Sequence, residues 1–176
     1  PAALLTLLKH PLVQAGEQRR AWLDGVRWLD AALRGPRPAS GLSGITARLE
    51  GMRERERKAH ARAIDWWRDN KALLEPFAKA MNSATLEPAS VLAAIREAAT
   101  ALCGEGVWRG QDGRAVADLI GRFEALCPAG PDHLPHDALP QLIRTLLDSE
   151  TVRPAWGGHH RLFIWGLLEA RLQSAD

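Results

Sequence analysis

The sequence is poor in cysteine, with two among its 176 residues. Two cysteines cannot form the disulfide framework of a small secreted domain, and they suit a reducing, cytoplasmic setting. No apolar run comes near the roughly 20 residues that a membrane-spanning helix needs, and no signal peptide is recognisable. We therefore expect a cytoplasmic protein with no membrane partner.

An excess of one charge is also lacking. The chain has 23 Lys and Arg against 21 Asp and Glu, so its net charge of +2 is too small to identify a nucleic-acid-binding protein. Tyr is absent and Phe occurs three times, but seven Trp provide enough large apolar surface for a core. This composition predicts one globular domain, or one domain with part of another.

The usual catalytic motifs are missing. The sequence contains no GxxxxGK[ST] phosphate loop, no Ser/His/Asp grouping and no pair of carboxylates with catalytic spacing. His159 and His160 lie beside a strand-like run, where consecutive side chains point to opposite sides and cannot easily serve one centre. We expect no catalytic residue in this chain.

A zinc site could be assembled on paper from Cys103, Cys127, His133 and His136. Structural zinc sites normally use closely spaced Cys-x-x-Cys pairs, whereas these two cysteines are 24 residues apart and lie at predicted helix ends. We therefore expect the two cysteines to be small buried apolar residues and the two histidines to lie in loops. The alternative is a metal-dependent regulatory domain that uses these four residues. The expectation is that the chain holds neither a metal nor a cofactor.

Apolar residues recur at helical spacing along most of the chain, which predicts an all-α, irregular helical bundle. The clearest stripe consists of Trp22, Val26, Leu29 and Leu33. We predict one long helical region from Ile45 to about Met81, broken once or twice. Gly104 should end one later helix and Asp112 should cap the next. Only the run RLFIW, near the end, predicts a short strand.

One segment is a candidate for binding nucleic acid. Its basic residues alternate with glutamates, and Glu54 and Lys58 are spaced as a stabilising i,i+4 pair. We favour a solvated helix face, and the alternative is a stripe that contacts phosphates without reading sequence. The residues of that stripe are Arg53, Arg55, Arg57, Lys58 and Arg62.

The tryptophans raise a similar choice. Trp108 and Trp156 lie in predicted loops flanked by Gly or Pro, and we expect them to meet a partner or an adjoining domain. Four others could be platforms on which bases stack, but their helical spacing favours packing in the core. Those four are Trp22, Trp28, Trp66 and Trp67.

Four segments of the sequence are LLTLLKHPLV, LRGPRPASGL, VWRGQDGRAVADLI and VRPAWGGHHRLFIWGLLEARLQSAD. They resemble the bacterial AddB family, whose members pair with AddA in a helicase–nuclease that repairs double-strand breaks. The resemblance extends over essentially the whole chain, and the last segment is its most specific part.

The resemblance implies a division of the chain. Residues 1–155 would be an accessory helical domain inserted in the second RecA-like motor domain, and residues 156–176 would be a stub of that motor domain. Gly166, Glu169 and Arg171 would be remnants of the motif that couples ATP to DNA in active helicases. The polypeptide would then be a fragment, with the catalytic parts of the family elsewhere.

The function that this resemblance implies is non-catalytic scaffolding. The domain would guide double-stranded or unwound DNA and contact an AddA-like helicase–nuclease subunit, without ATPase or nuclease activity of its own. The alternative is a protein–protein docking module that does not contact DNA. Salt distinguishes the two, because phosphate contacts weaken steeply as salt concentration rises.

Overall fold

The structure is a computed structural model, and it describes residues 1–152. Several predictions lie outside the described residues: the RLFIW strand, the boundary at residue 155, Trp156, and the remnant motif. Within residues 1–152 the fold is all-α, as predicted. The helices are α1 (Ala2–Lys9), α2 (Arg19–Ala32), α3 (Gly41–Glu50), α4 (Glu54–Ala59), α5 (Ala61–Asn70), α6 (Glu75–Met81), α7 (Pro88–Cys103), α8 (Gly110–Leu126) and α9 (Ala138–Asp148).

A first core forms where α1, α2, α3 and α5 meet. The predicted stripe of α2 supplies its centre: Val26 and Leu29 are fully buried, and Trp22 and Leu33 are nearly so. α1 ends at Lys9, two residues before Pro11, as the restriction that proline places on its predecessor requires. The amphipathic prediction for α2 is confirmed.

The region predicted as one long helix is divided more often than expected. It contains α3, α4, α5, a 3₁₀ turn at Lys71–Leu74, and α6. Met52, between α3 and α4, is buried in the first core. Pro76, in the first turn of α6, has no N–H to continue the α5 hydrogen-bond pattern, so α6 begins as a separate helix.

A second, smaller core lies between α7 and α9. Leu86, Val91 and Leu139 are its buried members, and Ile143 packs against them. Leu86 and Leu134 form an isolated antiparallel bridge, with backbone N–H···O distances of 3.2 and 2.7 Å. α7 also contributes Leu102 to the first core. This helix therefore joins the two cores.

The ends of α7 and α8 test two predictions. α7 ends at Cys103, and Gly104 follows with a φ of +71°, as expected for a glycine stop. The prediction that Asp112 caps α8 is wrong. α8 begins at Gly110, so Asp112 lies inside its first turn and makes no capping hydrogen bond. A 3₁₀ turn at Glu105–Trp108 separates α7 from α8.

No helix within residues 1–152 combines the length and the apolar character needed to cross a bilayer.

Candidate nucleic-acid interface

The five predicted basic residues do not lie on one helix. Arg53 directly precedes α4, while Arg55, Arg57 and Lys58 lie on that helix. Arg62 lies on α5, after a break at His60, whose φ and ψ are −111° and 19°. α4 has no buried residue. The short α4 is therefore a surface helix that presents its basic residues to solvent.

Within residues 1–152, two of the five side chains form a hydrogen bond or an ion pair. Arg57 Nη2 donates a hydrogen bond of 2.9 Å to the carbonyl oxygen of Glu50, at the end of α3. Lys58 Nζ lies 3.5 Å from Glu54 Oε1, which confirms the predicted i,i+4 pair. A further ion pair of 3.0 Å, between Arg48 Nη2 and Glu56 Oε1, also joins α3 to α4. The Arg57–Glu50 and Arg48–Glu56 contacts fix α4 against α3.

Arg53 and Arg55 differ from their neighbours. Both are exposed, and within residues 1–152 neither side chain makes an ion pair or a hydrogen bond. Their guanidinium groups can therefore contact an incoming anion without breaking an internal bond. Each planar guanidinium offers two parallel N–H groups, which suit a phosphate.

Arg62 lies over the ring of Trp28 on α2, with its Cζ 5.4 Å from the ring centroid. This distance is within the range of a cation–π contact. Trp28 is 39% exposed, whereas Trp22 and Trp67 are 6% and 3% exposed. Trp66 packs edge-on against Trp22 at 4.9 Å between centroids. The prediction of core packing is right for Trp22, Trp66 and Trp67, whereas Trp28 is exposed.

Sequence reasoning grouped Trp28 with the core residues, although its position carried a signal. At 100° per residue, Trp28 lies about 120° from the centre of the buried stripe of α2. Gly25, on the side of α2 between them, receives Trp66, whose Nε1 would lie 2.1 Å from a Cβ added there. Trp28 is therefore at the outer edge of the contact between α2 and α5.

Trp108 lies in the connection between α7 and α8, as predicted, and its expected contact with a partner stays a prediction. Trp108 ends the 3₁₀ turn at Glu105–Trp108 and is half-buried. Its indole N–H donates a hydrogen bond of 2.9 Å to Thr100 Oγ1 on α7. The ring thus holds the start of α8 against α7.

Charge is divided between the two halves of the described chain. Residues 1–81, which contain α1 to α6, have fifteen Lys and Arg against nine Asp and Glu. Residues 82–152, which contain α7 to α9, have five against ten. The halves therefore have net charges of +6 and −5. The near-zero total is therefore the sum of a basic half and an acidic half.

The residues considered for zinc are not gathered into one site. Cys103 packs against the first core, and burial raises the pKa of its thiol. Cys127 and His133 line a cleft of about 430 Å³ beside α7, and His136 Nε2 lies 3.1 Å from the carbonyl oxygen of Met81. Within residues 1–152, no three His, Cys, Asp or Glu side chains are arranged to hold a metal ion.

An apolar groove of about 800 Å³ lies between α1, α3 and α6. Its walls include Leu7, Leu42 and Phe77, and Leu7 is 44% exposed. Arg37, in the loop before α3, contributes the charged side chain of the lining. The groove can accept apolar side chains of a partner.

Comparison with known proteins adds no family to these observations, since the chain matches no family model, no curated protein and no solved structure.

Proposed function

We propose that this chain is a non-catalytic helical domain of an AddB-like subunit, which contacts DNA through residues 1–81 and supports an AddA-like partner during double-strand-break repair. The observation that carries the proposal is the charge division, +6 in this half against −5 in the other. The sequence resemblance supplies the biological setting. Cytoplasmic location, the partner subunit and the identity of the motor remnant Gly166, Glu169 and Arg171 are parts of the same proposal.

The proposed contact is with the DNA backbone. Arg53 and Arg55 are exposed and have no internal partner within the described residues, so they can neutralise phosphates. Arg57 joins α4 to α3 through the carbonyl oxygen of Glu50, Lys58 pairs with Glu54 within α4, and both side chains add positive potential. Such contacts position a duplex or an unwound strand and carry no sequence information. ATP hydrolysis and strand cleavage would take place elsewhere in the complex, with no cofactor in this chain.

The test is the affinity for a fluorescein-labelled duplex, measured by anisotropy over a series of salt concentrations. Each lost phosphate contact lowers the slope of log affinity against log salt by about 0.9. We therefore expect the double variant Arg53→Gln/Arg55→Gln to bind more weakly, with a slope lower by about 2.

The matched control is Arg114→Gln/Arg144→Gln, which removes the same charge from exposed sites in the acidic half. It should leave the affinity close to that of the unchanged protein. Equal losses in both double variants, or no binding of either duplex or single-stranded DNA at low salt, would refute the DNA contact. ATPase or nuclease turnover that a point substitution in this chain abolishes would refute the non-catalytic role.

A second candidate function is a protein–protein docking module that does not contact DNA. The apolar groove between α1, α3 and α6 favours it, because Leu7 at its edge is 44% exposed. The salt series separates the two candidates. A docking module has no DNA affinity to lose, whereas a phosphate-contacting domain loses affinity steeply as salt rises.

A further inference from the structure

We propose that Trp28 and Arg62 form a site that stacks an unpaired nucleobase, so that the domain prefers single-stranded to duplex DNA. This inference rests on the proposed function and goes further, because it names the form of DNA and the residues that select it. The juxtaposition that carries it is an exposed indole ring with a guanidinium 5.4 Å from its centroid, in the basic half of the molecule.

The contact between α2 and α5 has its own packing residues. Gly25 allows Trp66 to approach closely, and Trp66 in turn packs on the buried Trp22. Ala63 and Trp67 of α5 are also buried. Trp28 lies outside this set and leaves 39% of its surface in solvent. Its exposed apolar surface is therefore available to a ligand.

Arg62 adds a second binding element at the same place. Its side chain is exposed, and within residues 1–152 it makes the cation–π contact with Trp28 but no hydrogen bond or ion pair. An arginine over an aromatic ring can continue a stack with a base or turn towards the adjoining phosphate. Arg53, directly before α4, and Arg55, on α4, can contact further phosphates.

The preference for a single strand follows from where bases are accessible. In a duplex the bases are paired and stacked inside, so a protein ring at the surface meets mainly sugar and phosphate. In a single strand each base has a free face, and an exposed aromatic side chain gains affinity by stacking on it with little regard to sequence. Trp28 should therefore contribute to single-strand binding and leave duplex binding unchanged.

The experiment compares the affinities for a labelled oligothymidylate of about 15 nucleotides and for a duplex of the same length. This length is near the upper limit of the site that a single OB-fold domain covers on single-stranded DNA. We expect Trp28→Ala to weaken oligothymidylate binding about five- to tenfold, at the lower end of the stacking contribution, without changing duplex affinity. Trp28→Phe should retain part of the affinity, because a smaller ring still stacks. Leu126→Ala is the control, since it removes an exposed apolar side chain, 63% exposed, from the acidic half.

A second readout is tryptophan emission. Oligothymidylate should quench the emission of the unchanged protein, and Trp28→Phe should lose most of that quenching. The stacking site is excluded if Trp28→Ala changes the affinities for oligothymidylate and duplex equally, or changes neither. It is also excluded if the quenching persists in Trp28→Phe. Either result leaves the proposed contact with the DNA backbone standing. If neither DNA binds at low salt, the proposed function fails together with the site. Melting temperatures of the variants show whether Trp28 serves only to pack α5 on α2.

Discussion

Trp22 connects α1 to the first core in two ways. Its ring is buried, and its indole N–H donates a hydrogen bond of 2.9 Å to the carbonyl oxygen of Leu8. Leu8 lies in the last turn of α1, where the backbone carbonyl groups find no N–H donor within the helix. The side chain therefore satisfies a buried helix end as well as filling space.

We predict that Trp22→Phe lowers the free energy of unfolding by about 1–3 kcal/mol, because it leaves the buried Leu8 carbonyl without its donor and puts a smaller ring in the core. The measurement is urea unfolding followed by circular dichroism. The matched control is Trp28→Phe, the same change at an exposed ring, which should cost about 0.5 kcal/mol or less. Equal costs at the two positions would show that the hydrogen bond to Leu8 contributes little.

At the scale of the helices, the sequence predicted the helices with a regular apolar stripe but not the breaks between neighbouring helices. The stripe containing Val26 and Leu29 identified α2 because helix period and burial agree there. The start of α8 depended on the turn that Trp108 anchors to Thr100, a side-chain hydrogen bond that the helical periodicity of the sequence does not reveal. Similarly, α4 is separated from α3 because Met52 is drawn into the first core.

The contact between α2 and α5 gives a prediction at this scale. A Cβ at Gly25 would lie 2.1 Å from Trp66 Nε1, so Gly25→Ala must displace that ring or separate the helices. We expect it to lower the free energy of unfolding by about 1–3 kcal/mol. Gly121→Ala, on α8, provides the comparison, since within residues 1–152 no atom apart from the neighbouring backbone of the helix itself lies within 4 Å of the added methyl group.

Because alanine favours a helix over glycine, Gly121→Ala should raise the free energy of unfolding by up to about 1 kcal/mol. Urea unfolding of both variants measures the two changes side by side. Opposite signs are expected for the same chemical substitution. A stabilising Gly25→Ala would mean that Trp66 can leave its place without loss, and the close packing of α2 on α5 would be refuted.

For the molecule as a whole, composition alone concealed the main feature. The net charge of +2 is a sum over three parts of the chain. Residues 1–81 carry +6 and residues 82–152 carry −5, and residues 153–176 supply the remainder. The sequence identified the basic residues of the candidate interface, but it could not show which are engaged. Arg57 is tied to Glu50 and Arg62 to Trp28 only because the helices meet in three dimensions.

The charge division predicts where bound DNA lies on the molecule. α4 is short, without a buried residue, so its amides should exchange hydrogen quickly in the free protein and slowly beneath bound DNA. We expect oligothymidylate to slow exchange in α2, α4 and α5 and to leave α8 and α9 unchanged, since their half repels phosphate. Hydrogen–deuterium exchange with mass spectrometry, at low salt and again at high salt, measures this. Protection of α8 or α9 that persists at high salt would contradict an electrostatic contact on the basic half, because phosphate contacts should be lost under those conditions.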